Sequence, residues 1–200
     1  MAKSQWGLVY GGNKSEYAEN IIELLPPNLN LYDVFGGGGS ISHCATYSGK
    51  WSLVHYNDIS KRMATLYKWK TELRKFPDEV PNITREEPDN PYNYFWTFKN
   101  TRDQHYKRYK NLRLGFDHLE VTSLDYKDIK FSWDSTIYLD PPNKCECFNH
   151  DEFYDWIYKV LMNDRTLDVF LSEYSVPNND RLKFEVVWRR DKERLYHVTL

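Results

Sequence analysis

The sequence contains little cysteine, little net charge and no long hydrophobic run. Its three cysteines are too few for a disulfide framework, which favours a reducing compartment. A formal net charge of −2 provides no overall positive field, so binding to nucleic acid would require a local basic patch. Neither a signal peptide nor an apolar segment of membrane-spanning length is present. We therefore expect a soluble, cytoplasmic protein without a membrane partner.

Hydrophobic runs typical of strands alternate with segments of helical periodicity, over a length that suits one domain. We predict strands at residues 29–35, 51–58, 118–126, 135–140 and 167–174, and helices at residues 13–25, 59–76 and 150–162. The alternation predicts an α/β sheet, largely parallel, with an antiparallel hairpin at residues 183–198. Residues 77–93 are rich in proline, asparagine and acidic side chains, which predicts a loop and the position of an insertion.

The run "DVFGGGGS" places four glycines directly after a predicted strand and before a helix. Glycine lets the backbone approach a ligand closely, and in open α/β sheets ligands bind where the first strand ends. A flexible linker is the alternative, although linkers rarely join a buried strand to an apolar helix. Asp58 ends the next strand, where an acid can accept hydrogen bonds from ribose hydroxyls or can instead cap the following helix. The spacing does not match the dinucleotide fingerprint, so NAD is a poor candidate.

Another predicted strand runs into Asp140, Pro141, Pro142 and Asn143. The prolines have fixed φ angles and no N–H, so the chain presents a rigid row of acceptors, the Asp140 carboxylate and the Pro141 carbonyl. Such a row suits an exocyclic amine, whose two N–H groups it could hold while the nitrogen lone pair faces an electrophile. An ordinary turn that closes a strand explains the four residues equally well. Ser172 and Glu173 end a later strand at the same edge and are candidates to line the site, although an ordinary polar strand end explains them equally well.

Several segments together resemble a known family. The stretches are "YGGNKSEYAENI", "DVFGGGGS", "HYNDIS", "LDYKDI", "YLDPPN" and "FNHDEFYDWI", and they occur in the order seen in D12 class (Dam-like) DNA adenine N6-methyltransferases. "YFWTFKN" is similar to a serine-phenylalanine-glycine-asparagine stretch of phage-type members. The resemblance covers nearly the whole chain. It implies a Rossmann-like, S-adenosyl-L-methionine-dependent enzyme that methylates N6 of an adenine flipped out of double-stranded DNA.

The resemblance also implies site residues. The cofactor-binding positions are Tyr10, Gly12, Lys14, Asp33, Phe35, Gly37, Gly39, Asp58, Asp125, Tyr126 and Asp140, and the catalytic motif is Asp140, Pro141, Pro142 and Asn143. Lys14 is expected near the methionine carboxylate, Asp58 at the ribose, and Asp125 with Tyr126 at the adenine of the cofactor. No metal is expected, because Cys145, Cys147 and His150 do not have the usual zinc spacing.

The sequence departs from the family pattern at Asn143, where members carry an aromatic residue that stacks on the extruded base. Base–aromatic stacking contributes roughly 1–3 kcal/mol per base, so its loss would slow methylation roughly ten- to a hundredfold. Phe148, in the same loop, is one candidate to supply the aromatic face. The alternative function is a catalytically impaired homologue that acts as a DNA-binding or inhibitory protein. A change of acceptor to cytosine N4 or an amide nitrogen is a third possibility, because those groups also offer two N–H donors.

A basic segment at residues 98–113, "FKNTRDQHYKRYKNLR", is the candidate DNA contact. Its predicted phosphate ligands are Arg102, Lys107, Arg108, Lys110 and Arg113. Tyr106 and Tyr109 are interleaved with these cations and would stack on bases if they are exposed; a solvated charged helix is the alternative. The predicted organisation is a catalytic domain at residues 1–76 and 114–200 and a small DNA-recognition segment at residues 77–113.

Overall fold

The fold is built on one seven-stranded sheet, seen in a computed structural model. It describes residues 6–12, 14–83, 87–98, 100–113, 115–142, 148–175 and 177–200. The strands are β1 (Asn30–Asp33), β2 (Leu53–Asn57), β3 (Leu119–Thr122), β4 (Ser135–Leu139), β5 (Asp168–Glu173), β6 (Lys183–Arg190) and β7 (Glu193–Thr199). The helices are α1 (Ala18–Leu24), α2 (Ser40–Ser48), α3 (Lys61–Thr71), α4 (Asn93–Trp96), α5 (Arg102–Asn111) and α6 (His150–Asn163).

The strand order is β3-β2-β1-β4-β5-β7-β6. Strands β1 to β5 are parallel, whereas β7 is antiparallel to both β5 and β6. The predicted parallel sheet with an antiparallel hairpin at one edge is therefore confirmed. Because β1 lies between β2 and β4, the direction of strand succession reverses there, and the carboxyl ends of β1 and β4 open the crevice in which doubly wound sheets bind ligands.

Hydrophobic residues cover both faces of the sheet, as expected for strands that are buried on two sides. On β1, Leu31 faces a core formed with α1, α2 and α3, while Tyr32 faces a second core formed with α6. The two cores alternate along the strand because successive side chains point to opposite faces, and all four β1 residues are buried. Both faces are thus closed by helices, so the exposed edge at the carboxyl ends of the strands is where polar groups can gather.

Two predicted helices are shorter than expected. The helix predicted at residues 13–25 begins only at Ala18, and its N-cap is Tyr17, whose side chain makes no capping bond. The helix predicted at residues 59–76 spans Lys61–Thr71. The remaining predicted strands and the helix near residue 150 lie within a few residues of their expected bounds. Asn149 caps α6, because its side chain accepts hydrogen bonds from the N–H groups of Asp151 and Glu152.

The described part of residues 77–113 packs onto the catalytic fold. Phe95 of α4 and Tyr106 and Tyr109 of α5 are buried in the core that contains α3. The Tyr109 hydroxyl donates a hydrogen bond of 2.6 Å to the carbonyl of Leu66 in α3. None of the helices in the described part of the chain combines the length and apolar character needed to cross a bilayer.

Candidate active site

A cavity of about 1230 Å³ lies at the carboxyl ends of the parallel strands. Its wall includes Tyr10, Gly12, Lys14, Asp33, Phe35, Gly37, Asp58, Asp140, Pro141 and Pro142 from the sequence-predicted set. These residues come from four chain segments that the sheet order brings together. The wall is completed by residues at and after the carboxyl end of β5 and by one residue of the turn between β6 and β7. They are Glu173, Tyr174, Ser175 and Lys192.

The glycine run closes one side of this cavity in a conformation that requires glycine. Gly37 and Gly39 have φ angles of +49° and +68°, in the left-handed region. A Cβ on Gly37 would lie 3.1 Å from the ring of Tyr10, and a Cβ on Gly39 would lie 2.2 Å from the Tyr67 hydroxyl. The glycines therefore allow tight packing against the protein as well as the turn itself. Gly39 does not line the cavity; it is the N-cap residue of α2.

Asp58 holds the glycine run in place. One carboxylate oxygen accepts a 2.7 Å hydrogen bond from the N–H of Gly37, and the other accepts a 2.7 Å bond from the N–H of Ser60, the N-cap residue of α3. Burial raises the pKa of Asp58, and the two N–H groups oppose that rise. Asp58 therefore lines the cavity and fixes the residue before α3, but it is not the cap of that helix, whose N-cap residue is Ser60.

Asp33 ends β1 and anchors the start of α2. Its Oδ2 atom accepts hydrogen bonds from the N–H of Ser42 at 3.1 Å and from the Ser42 hydroxyl at 2.6 Å. Ser42 lies in the first turn of α2, whose N–H groups have no partner within the helix. Burial raises the pKa of Asp33 to about 7 in spite of these bonds. This carboxyl group therefore links the first strand, the second helix and the cavity wall.

Lys14 and Asp140 form an ion pair inside the cavity, although 126 residues separate them in the sequence. The Lys14 Nζ atom lies 2.8 Å from Asp140 Oδ1 and 3.5 Å from Glu193 Oε2, and it also donates to the carbonyl of Gly12 at 3.2 Å. The Lys14 side chain is only 4% exposed. Burial opposes its charge, but the two carboxylates outweigh that effect and raise the pKa of Lys14.

Asp140 is the carboxylate that the sequence places at the acceptor row, and it faces the cavity. Burial raises its pKa to about 6; Lys14 opposes the rise and Glu193 adds to it. The group is thus predominantly ionised at neutral pH and protonated in mild acid. Pro141 is buried beside it, and Pro142 is exposed. The ionised carboxylate can accept N–H donors, and Lys14 is the cation that keeps it ionised.

Three further residues lie beside the Lys14–Asp140 pair: Glu173 and Tyr174 line the cavity, and Glu193 contacts Lys14 from behind its wall. Glu173, at the end of β5, is buried, which raises the pKa of its carboxyl group to about 7, and it lies 3.5 Å from the Nε2 atom of His150. Its position at the sheet edge was predicted. Glu193 and Tyr174 were not predicted. Glu193 reaches Lys14 only through the pairing of β5 with β7, whereas Tyr174 directly follows the predicted Glu173 and could have been included with it.

Asp125 and Tyr126 do not line the cavity as it stands. They begin the short 3-10 turn after β3, where the Asp125 side chain accepts a 3.0 Å bond from the N–H of Lys127. The Tyr126 ring lies 5.6 Å from that of Phe35, which does line the cavity. The pair is therefore adjacent to the cavity and in contact with its apolar wall.

Phe148 belongs to the same aromatic group. Its ring lies 5.8 Å from Phe35, 5.9 Å from Tyr126 and 5.3 Å from Phe153. It packs on protein rings and does not line the cavity. Asn143 lies outside the described residues, as do Cys145 and Cys147. Within the described ranges, no three His, Cys, Asp or Glu side chains group so as to hold a metal ion.

The basic helix α5 is only partly available to a ligand. Tyr106 and Tyr109 are buried, so the expectation that they lie on an exposed stacking face is wrong. Arg108 donates a 2.7 Å hydrogen bond to the carbonyl of Gly7, and Lys110 pairs with Asp78 at 3.1 Å.

The other three predicted phosphate ligands have different surroundings. Lys107 and Arg113 are exposed. The Arg102 guanidinium lies over the ring of Trp96, with 4.4 Å between its central carbon and the ring centroid.

The strand order, the glycine turn and the cavity at the end of β1 define a Rossmann-like, doubly wound α/β fold with its ligand site at the carboxyl ends of the strands. The sequence matches the family of D12 class N6 adenine-specific DNA methyltransferases over residues 10–121, and the chain belongs to that family. The matched part includes the glycine turn and Asp58 but ends before Asp140. No curated protein matches the sequence.

Solved structures with a similar fold include methyltransferases of low sequence identity. A candidate methyltransferase from Escherichia coli is 10% identical with a TM-score of 0.47, and covers 96% of this chain and 92% of its own. A candidate methylase from Haemophilus influenzae is 13% identical, with a TM-score of 0.46 and coverage of 92% and 96%. An rRNA methyltransferase from Streptomyces viridochromogenes is 9% identical, with a TM-score of 0.46 and coverage of 92% and 82%.

Proposed function

We propose that the protein transfers a methyl group from S-adenosyl-L-methionine to the N6 amine of adenine in double-stranded DNA. One observation carries the proposal: Asp140 and Pro141, a carboxylate and a carbonyl on a rigid turn, face the cavity of a chain that belongs to the D12 class. An exocyclic amine has the two N–H donors that this pair of acceptors requires.

The cavity suits the cofactor in size and in chemistry. Ligand pockets commonly measure about 300–1,000 Å³, so a cavity of about 1230 Å³ has room for the cofactor together with an extruded base. Lys14 supplies a buried cation for the methionine carboxylate, Asp33 and Asp58 supply acceptors, and Phe35 supplies an apolar surface. When bound, the cofactor supplies an electrophilic methyl group on a sulfonium.

The chain's own residues would hold and orient the amine. The Asp140 carboxylate accepts one N–H and the Pro141 carbonyl accepts the other, which directs the nitrogen lone pair toward the cofactor side of the cavity. This arrangement would accelerate methyl transfer because the amine is aligned with the methyl group and because the acceptors are fixed in place before the reaction begins. Lys14 contributes by keeping Asp140 ionised, since only the carboxylate can accept without donating.

The assignment of the other cofactor positions is also part of the proposal. Tyr10 and Gly12 would line the methionine end with Gly37, and Gly39 would support the turn by starting α2. Asp125 and Tyr126 would meet the adenine of the cofactor beyond Phe35, the ring that Tyr126 contacts.

We propose residues 77–113 as the DNA-recognition segment and residues 1–76 and 114–200 as the catalytic domain. The exposed Lys107 and Arg113 are the cations best placed to meet phosphates, with Arg102 beside the partly exposed Trp96. Arg108 and Lys110 would give up or share their present contacts with Gly7 and Asp78 to do the same.

The test is methyl transfer from tritiated S-adenosyl-L-methionine to unmethylated plasmid DNA. Label in DNA, recovered as N6-methyladenine after digestion, is expected for the wild type, and background counts are expected for Asp140→Ala with cofactor affinity retained in calorimetry. Asp117→Ala, at an exposed carboxylate of the 3-10 turn before β3, is the matched control. If the label is instead recovered as N4-methylcytosine, the acceptor is cytosine and the assignment to adenine is wrong. Absence of transfer despite cofactor binding would favour the impaired DNA-binding homologue.

A further inference from the structure

An extruded base needs an aromatic face, and the position that supplies one elsewhere in the family is Asn143 here. Flipping costs a few kcal/mol, and stacking on an aromatic side chain is the usual way to recover that cost. The Phe148 ring packs on Phe35, Tyr126 and Phe153, so it is already in contact with other aromatic side chains of the protein. The inference that follows rests on the proposed function.

Four aromatic side chains line the described wall of the cavity: Tyr10, Phe35, Tyr138 and Tyr174. Tyr138 is 1% exposed and donates a hydrogen bond to Ser172. Phe35 packs in the aromatic group already described. Tyr10 lies against the glycine turn, 3.1 Å from a Cβ placed on Gly37, and thus at the cofactor end. Of these four rings, Tyr174 is the one that is both exposed and near Asp140.

Tyr174 follows β5 and is 40% exposed. Its ring centroid lies 5.8 Å from the Lys14 Nζ atom, which in turn lies 2.8 Å from Asp140 Oδ1. The ring centroid is therefore at most 8.6 Å from the catalytic carboxylate, the sum of those two distances. A base whose amine lies about 3 Å from Asp140, and whose ring centroid lies about 4.5–7 Å from that of Tyr174, spans a comparable distance.

The backbone under this ring is fixed. Glu173, the preceding residue, pairs with Arg194 in the ladder between β5 and β7. The Arg194 guanidinium donates a 2.5 Å hydrogen bond to the carbonyl of Tyr174. A stacking surface is more effective when little side-chain and loop freedom is lost on binding, which a residue anchored at the end of a central strand provides.

We propose that Tyr174 is the stacking platform for the extruded adenine and takes the place of the aromatic side chain absent at Asn143. The base stacks on the exposed part of the Tyr174 ring while its amine reaches Asp140, which lies within 8.6 Å of the ring centroid. Tyr174 is thus a substrate-binding residue that directly follows β5, far in sequence from Asn143.

The experiment measures kcat and KM for DNA and for the cofactor in four variants. Tyr174→Ala is expected to lower kcat/KM for DNA roughly 5- to 150-fold, the range that corresponds to one stacked base, with KM for the cofactor unchanged. Tyr174→Phe keeps the ring and is expected to retain activity. Tyr174→Leu keeps apolar volume without an aromatic face and is expected to lose as much as Tyr174→Ala. Tyr47→Ala, a matched control at a 51% exposed tyrosine outside this cavity, is expected to change nothing.

The outcomes separate the two proposals. Transfer by the wild type together with an unaffected Tyr174→Ala enzyme overturns the platform and leaves the proposed function standing. Equal losses in Tyr174→Phe and Tyr174→Ala assign the effect to the hydroxyl and also overturn the platform. Absence of methyl transfer by the wild type overturns both. Folding of every variant is checked by its cofactor affinity, and Tyr174→Leu stands in for Tyr174→Ala if that variant does not fold.

Discussion

Replacing Lys14 with methionine tests the electrostatic argument most directly. The change removes the cation that lies 2.8 Å from Asp140 and keeps the volume of the side chain. A neighbouring opposite charge typically lowers a carboxyl pKa by about 1–3 units. The pKa of Asp140, about 6 in the wild type, should therefore rise to about 7–9 in the variant. Glu193, which lies 3.5 Å from Lys14, pushes in the same direction once the cation is gone.

The measurement is the pH dependence of methyl transfer at saturating cofactor. Because transfer requires the carboxylate, the wild-type rate should fall as the pH drops below about 6. At pH 7 a group of pKa 6 is about nine-tenths ionised, whereas one of pKa 8 is about one-tenth ionised, so the variant should be roughly tenfold slower and recover near pH 9. Lys14→Arg keeps a cation and should leave the acid limb close to its wild-type position.

Two results would refute this reasoning. An acid limb that does not move in Lys14→Met shows that Lys14 does not control the ionisation of Asp140. A loss that is uniform across pH shows that Lys14 acts through another step, such as holding the methionine carboxylate. Saturating cofactor is needed because the same side chain is assigned to that carboxylate in the proposed function.

Three other predictions concern residues around this pair. Asp58→Ala should weaken cofactor binding in calorimetry, because the acceptor that fixes the N–H of Gly37 is lost; unchanged affinity would remove Asp58 from the ribose. Asn143→Tyr should raise the transfer rate, and by a larger factor in the Tyr174→Ala background, where the new ring is the single platform; equal factors would contradict the shared role. Asp33, with its pKa raised to about 7, stabilises the fold fully below its unfolded pKa near 4 and loses that contribution as the pH rises to 7. Asp33→Asn should therefore gain up to about 4 kcal/mol relative to the wild type between pH 4 and pH 8 in urea unfolding, and parallel curves would argue against a buried, protonated Asp33.

The sheet could be predicted because local signals define each of its strands. The run that ends at Asp33 is hydrophobic, is preceded by prolines and is followed by glycines, and β4 ends at Asp140 before two prolines. Since the carboxyl ends of parallel strands share one edge, the meeting of Asp33, Asp58 and Asp140 follows from the strand assignment alone. The parallel order then places these carboxylates around one cavity, as the structure has them.

The ion pair between Lys14 and Asp140 could not be predicted in this form. Lys14 precedes α1 in a loop whose path depends on tertiary contacts, such as the hydrogen bond from the N–H of Leu8 to the carbonyl of Gly38. Glu193 reaches the same ammonium only because β7 inserts next to β5. Side-chain proximity across so many residues is a property of the packed structure, and no local pattern encodes it.

The misread helix α5 is instructive because the correct signal was present. Tyr106 and Tyr109 are three residues apart and thus share a helix face, and their burial makes that face part of the core. The interpretation as a basic surface patch took account of the order of tyrosines and cations in the sequence but not of the helix faces on which they lie. A helical periodicity would have separated the tyrosines from Lys107, which lies on the exposed side.

The two ends of the cavity are built differently, and this has a consequence for the reaction. Backbone atoms of the glycine turn, held by Asp58 and by hydroxyls that bond to its carbonyls, form the end that the proposed function assigns to the cofactor. Side chains that follow β4 and β5 or lie in the hairpin form the acceptor end, among them Asp140, Tyr174 and Glu193. Substitutions at the acceptor end can therefore alter which amine is accepted while the cofactor site stays intact.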